Sequence, residues 1–216
     1  MFKRTLAVLI LIMGLIYIFV SSALIFKLIP MWLILLYAYL HRSRLDKRYV
    51  LLVIAGLFFC MLGDGLLSHF VIGLSAFLIG HLFYTAAFIT KWKFSWIRLC
   101  TIIPFLIYAG FMANQLVRAM HNTDNEGLIL PVMTYLLIIL LMGWFSIMSG
   151  NIWSMMGSTL FIISDSILAW NKFVSDVSYS GMLIMLTYYT AQFLIANSVG
   201  QRGQQTDASN TNSPAR

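Results

Sequence analysis

The stretch LILPVMTYLLIILLMGWFSIM, residues 128–148, holds no charged side chain. An α-helix needs about 20 apolar residues to cross the hydrocarbon core of a bilayer, and this run supplies them. Working outward from it, seven further runs of the same character lie at 5–20, 24–40, 49–68, 70–90, 97–117, 151–170 and 179–199. The whole chain is 61% hydrophobic and 10% charged. A soluble domain carries roughly 25% charged residues, so lipid is the solvent this sequence suits. The reading is an all-α integral membrane protein of about eight transmembrane helices over residues 1–200. A Gln-, Ser-, Asn- and Thr-rich tail at 201–216 has too little apolar surface to fold and is expected to be disordered.

The net charge of +7 would raise the question of nucleic acid in a soluble protein. Here the basic residues sit in short links, where they act as topology signals. With the N-terminus in the cytoplasm, the inside segments hold Lys3, Arg4, Arg42, Arg44, Lys47, Arg48, Lys91, Lys93, Arg98, Arg202 and Arg216. The outside segments hold Lys27, Arg118 and Lys172, so the count is eleven against three and both termini are expected in the cytoplasm. Trp92, Trp96, Trp144, Trp153 and Trp170 fall near span ends, where an amphipathic ring is best placed. The first span follows Lys3 and Arg4 and ends near Ser21, Ser22 and Ala23, as a signal peptide does. Its apolar run is long and no soluble domain follows, so it is read as a span. The expected location is a bacterial cytoplasmic membrane.

The two halves echo each other. Gly63-Asp64-Gly65-Leu66-Leu67 parallels Ser164-Asp165-Ser166-Ile167-Leu168 at an offset of 101 residues, and Pro30 and Pro131, each read as opening a span, share that offset. Tyr84-Thr85-Ala86-Ala87-Phe88 parallels Tyr189-Thr190-Ala191-Gln192-Phe193. Three echoes in order point to a four-plus-four parallel repeat, an arrangement that places sites between the halves.

Of seven acidic residues, Asp46, Asp124, Glu126, Asp176 and Asp207 lie in links or the tail, and only Asp64 and Asp165 lie within spans. A carboxylate in hydrocarbon costs about 2.5–3.5 kcal/mol on insertion scales, so its presence there is a functional signal. A pair at matched depth can divide the work of acid and base, one protonated and one ionised. The competing reading is a structural pair bonded to Ser or Tyr on neighbouring helices. His81, with Tyr84 one turn on, is either a packing histidine or a lining residue. Tyr188 and Gln192 share a helix face at i, i+4 and serve equally as site residues or as helix-packing contacts. Lys27 is a snorkelling lysine or a phosphate contact at the mouth of a site. Asn114 and Gln115 are as readily interfacial as functional. Cys60 and Cys100 suggest no disulfide framework, and neither the cysteines nor the four scattered histidines have metal-ligand spacing. No Gly-rich phosphate loop, zinc motif or Gly-x-Ser-x-Gly elbow occurs.

Leu62-Gly63-Asp64-Gly65-Leu66-Leu67, with Gly73-Leu74-Ser75-Ala76-Phe77-Leu78-Ile79-Gly80-His81-Leu82-Phe83-Tyr84, resembles the YhhN-like lysoplasmalogenase family. So do the stretch Gly157–Leu168, the run Tyr188-Tyr189-Thr190-Ala191-Gln192 and, more loosely, Lys27 with Pro30. The resemblance covers residues 27–198. It implies a membrane hydrolase that cleaves the vinyl ether of lysoplasmalogens to a fatty aldehyde and a glycerophospho-base. Water would be the co-substrate, with no cofactor and no protein partner. Asp64 and Asp165 would be catalytic, and Lys27, His81, Tyr84, Tyr188 and Gln192 would bind or position the lysophospholipid. Buried carboxylates on duplicated helices also suit a proton-coupled transporter or lipid flippase. A non-catalytic membrane component is the third reading.

Overall fold

A computed structural model of the chain describes residues 2–21, 23–123 and 125–200. A backbone amide in hydrocarbon has no water to bond, so the apolar runs become helices, which pair these groups within one segment. In chain order they are α1 (Phe2–Phe19), α2 (Leu24–His41), α3 (Lys47–Leu66), α4 (Phe70–Ile89), α5 (Trp96–Cys100), α6 (Ile102–His121), α7 (Ile129–Ser149), α8 (Ile152–Phe173) and α9 (Ser180–Asn197). Among the described residues, seven helical segments are long and apolar enough to cross a membrane, α5 and α6 counting as one. α1 is a further apolar helix of 18 residues. It buries Leu6 and Ile10 and packs on α2 and α9. The tail at 201–216, with Arg202 and Arg216, lies outside the described residues.

Two boundaries differ from the expected spans. α3 stops at Leu66 rather than 68, in a turn whose His69 amide donates to the Leu66 carbonyl at 2.9 Å. The fifth span is jointed at Thr101, whose hydroxyl donates to the Arg98 carbonyl at 2.6 Å. Pro104 lies three residues on and has no N–H to continue the ladder back to Cys100. Pro131 does sit in the first turn of α7, but Pro30 lies well inside α2 rather than opening it.

Many large apolar side chains cover the outward faces, whereas several strongly polar ones are enclosed. Leu51 and Ile107 are 69% and 70% exposed, whereas Asp64 is 4% exposed and His81 and Gln192 are fully enclosed. That distribution suits a lipid solvent. Hydroxyls on outward faces bond to their own helix: Thr134 to the Leu130 carbonyl at 2.9 Å, and Thr190 to that of Leu186 at 2.7 Å.

α3 packs along α4, and α8 along α9. Small residues let both pairs close. A Cβ at Gly80 would stand 2.8 Å from Cys60 Sγ and 3.1 Å from the Gly56 carbonyl, and one at Gly157 would stand 2.9 Å from the Ala191 carbonyl. α4 packs on α7, and α9 on α2, which brings early and late helices together at the centre. Tyrosine hydroxyls fasten this contact. Tyr84 donates to Gln192 Oε1 at 2.6 Å, Tyr37 to Asn197 Oδ1 at 2.9 Å, and Tyr189 to the Lys27 carbonyl at 2.8 Å. Tyr49 meets the hydroxyls of Ser154 and Ser198 at 3.1 and 2.7 Å.

Candidate active site

Asp64 lies near the end of α3, where Gly63 lets the ring of Phe77 from α4 come close; a Cβ at Gly63 would stand 2.6 Å from that ring. Lys27, in the first turn of α2, reaches across. Its Nζ is 3.1 Å from Asp64 Oδ1 and donates to the Asp64 carbonyl at 3.3 Å. Tyr188 of α9 donates to the other carboxylate oxygen, Oδ2, at 2.7 Å. Both oxygens of Asp64 are therefore engaged, one by a cation and one by a phenol. The side chains of Lys27 and Asp64 are 12% and 3% exposed. An ion pair this deep persists only when its mutual attraction and added hydrogen bonds offset lost hydration.

Asp165, on α8, has different company. The hydroxyl of Tyr135 from α7 donates to its Oδ2. Among the described residues no cationic group lies within ion-pair distance of Asp165. The neighbouring serines are turned away: Ser164 donates to the Ile184 carbonyl at 2.9 Å, and Ser166 to that of Ile162, while also meeting the hydroxyl of Tyr108 on α6.

Both carboxyls line one cavity of about 70 Å³, together with Lys27, Tyr135 and Tyr188. Its remaining wall is largely apolar, formed by Phe70, Leu74, Phe77 and Ile184 among others, and Lys172 and Phe173 line it at the end of α8. Asp165 and Tyr135 also border a second cavity of about 40 Å³ between α6, α7 and α8, lined by Met112, Leu116, Ile139 and Ile162. Asp165 thus borders two spaces, one shared with Asp64 and one walled mainly by apolar side chains of α6, α7 and α8.

Of the residues expected from sequence, Lys27, Asp64, Asp165 and Tyr188 are brought together. His81, Tyr84 and Gln192 do not line the cavity. His81 lies behind it, edge-on to Tyr135 with ring centroids 5.3 Å apart and to Phe161 at 4.6 Å. Tyr84 and Gln192 bond to each other and join α4 to α9. Sequence reasoning missed Tyr135 and Lys172. No motif marks Tyr135, and at the offset of 101 its counterpart is Ile34. Lys172 had a usable signal, since it stands two turns beyond Asp165 on the same face of one helix. Among the described residues, no cluster of three His, Cys, Asp or Glu could hold a metal ion.

A bundle of apolar helices around a cavity holding two carboxyls, one ion-paired and one not, defines a multi-pass integral membrane protein with a polar site buried in its interior. Residues 22–199 match the model of the YhhN family, and the chain belongs to that family. Among curated relatives, lysoplasmalogenase TMEM86B of Mus musculus is 37% identical over 126 residues, 58% of this chain and 52% of that protein. Lysoplasmalogenase TMEM86B of Homo sapiens is 32% identical over 133 residues, 61% of this chain and 54% of that protein. Lysoplasmalogenase TMEM86A of Homo sapiens is 31% identical over 165 residues, 68% of this chain and 64% of that protein. The chain spans from about half to just under two thirds of the length of these relatives. No solved structure matches it significantly.

Proposed function

We propose that the chain is a membrane lysoplasmalogenase, a hydrolase that takes a lysophospholipid with a vinyl ether and uses Asp165 as acid and Asp64 as base. The observation that carries this is the unequal pairing of two carboxyls on one cavity: Asp64 pairs with the Lys27 ammonium, whereas Asp165 accepts from a phenol and, among the described residues, has no cation within ion-pair distance. A neighbouring cation favours the ionised form of a carboxyl, and apolar surroundings without one favour the protonated form. Membership of the YhhN family and the names of the curated relatives favour the same reaction.

The steps balance. The carboxyl of Asp165 gives its proton to the β-carbon of the vinyl ether, leaving an oxocarbenium ion at the α-carbon. Water adds to that carbon, and the Asp64 carboxylate takes the proton the water gives up. In the resulting hemiacetal, the bond from the α-carbon to the glycerol oxygen breaks. Asp64 returns its proton to that oxygen, and Asp165 takes the proton of the hemiacetal hydroxyl. Fatty aldehyde and glycerophospho-base leave, and both carboxyls regain their starting state. Glycosidases divide labour between two carboxyls in the same way. The apolar space beyond Asp165 suits the hydrocarbon on the β-carbon side, which is the side to be protonated.

The remaining expectations stand as parts of the proposal. The basic-residue asymmetry supports both termini in the cytoplasm, with the carboxyls toward the opposite face, and residence in a bacterial cytoplasmic membrane belongs to the same proposal. Matched pairing of α3 with α4 and of α8 with α9, and glycines at 56 and 157 sharing the offset of 101, support the internal repeat.

The test is a product assay on detergent-purified protein, given a lysoplasmalogen or its saturated-ether analogue. Aldehyde from the vinyl ether alone, lost in Asp64→Asn and Asp165→Asn, is the expected result. Well-folded protein releasing no aldehyde from any headgroup class would overturn the proposal and favour transport.

A further inference from the structure

The catalytic cavity has a second lysine. Lys172 lines it at the end of α8, two helical turns from Asp165 and so about 10 Å along the axis. Its Nζ lies 4.4 Å from the centroid of the Phe70 ring and 5.6 Å from that of Phe173. Among the described residues it makes no ion pair. Aromatic faces attract a cation without cancelling its charge. Lys172 is therefore seated in place with its positive charge unspent. Lys27 is the opposite case. Its ammonium is held by both a side-chain oxygen and the carbonyl of Asp64, and moving it to a substrate anion would strip Asp64 of its counter-charge.

We propose that Lys172 binds the phosphate of the lysolipid and so fixes the direction in which substrate lies in the cavity. This rests on the hydrolase reading above. The phosphate sits at Lys172, the glycerol runs along α8 past Leu168 and Ala169, the vinyl ether reaches Asp165, and the hydrocarbon continues between α6 and α7. Leu168, Ala169 and Lys172 line the first cavity, and Ala169 and Asp165 also border the second, so one continuous stripe of α8 underlies the whole path. Snorkelling toward the headgroup layer does not by itself account for a lysine that lines the carboxyl cavity with its ammonium beside the Phe70 ring.

The experiment compares two substrates, a lysoplasmalogen and the matching alkenylglycerol, which has the vinyl ether but no phosphate. Wild-type protein is expected to prefer the phosphate-bearing substrate by tenfold or more in kcat/KM, the scale of one charge-assisted contact. In Lys172→Gln that preference should collapse toward one, through KM rather than kcat, and Lys172→Arg should restore most of it. An intact preference in folded Lys172→Gln would overturn the proposal, as would a loss falling equally on both substrates, which marks a structural lysine. If wild-type protein cleaves neither substrate, the hydrolase reading itself has failed. Wild-type cleavage of both at equal rates would instead sink the phosphate contact alone.

Discussion

Lys27 and Asp64 form an ion pair 3.1 Å long in which the lysine side chain is 12% exposed and the carboxylate 3%. Removing one member of such a pair leaves the other charged and buried, which costs about 3–5 kcal/mol. Lys27→Met should therefore lower the thermal stability of the purified protein sharply. The double variant Lys27→Met with Asp64→Asn should recover much of that loss while remaining inactive. A double variant no more stable than the single would show that the pair contributes through packing rather than charge.

The two aspartates should differ when each is made Asn. Asn at 165 can still accept from the Tyr135 hydroxyl, so stability should change by about 1 kcal/mol or less. Asn at 64 leaves the Lys27 ammonium without its counter-charge and should destabilise more. Aldehyde release should fall about 100- to 10,000-fold in both, the range for losing an acid or base. Unfolding curves and aldehyde assays on the same preparations would check the contrast.

Tyr135 and Tyr84 offer a second contrast. Tyr135→Phe removes the donor that Asp165 has among the described residues, and about a tenfold loss of kcat is expected with the fold retained. Tyr84→Phe strands the buried side chain of Gln192, away from the cavity. It should cost about 1–3 kcal/mol of stability and far less activity per folded molecule. Equal kinetic damage from both would place Tyr84 at the substrate after all.

Narrowing the second cavity should change which chains are accepted. Ile139 and Ala169 line it. Ile139→Trp, at a residue that borders only this second space, should depress kcat/KM for long-chain lysoplasmalogens more than for short-chain ones, by about tenfold or more if the bulk blocks the path. A uniform effect across chain lengths would mean that the hydrocarbon lies elsewhere.

Glycine at the α3–α4 contact is a packing requirement. Gly80→Leu must displace Cys60 and the Gly56 backbone, and a loss of about 1–3 kcal/mol is expected. Gly65 has open space where a Cβ would go, so Gly65→Ala should be tolerated. Melting temperatures of the two would settle the matter.

The spans were legible because a continuous apolar run of about 20 residues is the length at which a helix pairs its own backbone groups across hydrocarbon. The joint at Thr101 was not foreseen, although Pro104 announces a missing donor. Asp64 and Asp165 stood out because nothing else acidic lies within a span. Their partners were harder. Tyr188 and Lys27 were singled out, but the contact of each with Asp64 joins positions 124 and 37 residues away in the chain, which no local pattern encodes. Tyr135 falls opposite Ile34 at the offset of 101, so comparing the two halves gives no sign of the partner that distinguishes Asp165 from Asp64. His81, Tyr84 and Gln192 were drawn in as polar groups within apolar runs, and the structure sets them one layer behind the cavity.

α6 is held lightly. It buries Met112, Leu116 and Met120, and among the described residues the meeting of Tyr108 with Ser166 is its one side-chain hydrogen bond to another long helix. The space beside Asp165 is bounded by that helix. If the proposed reaction runs there, the reactive carbonyl product would depart sideways into the oily phase and not into water. Soluble amines would then meet the aldehyde only after it had partitioned out of the bilayer, and the membrane itself would act as the first barrier against its toxicity.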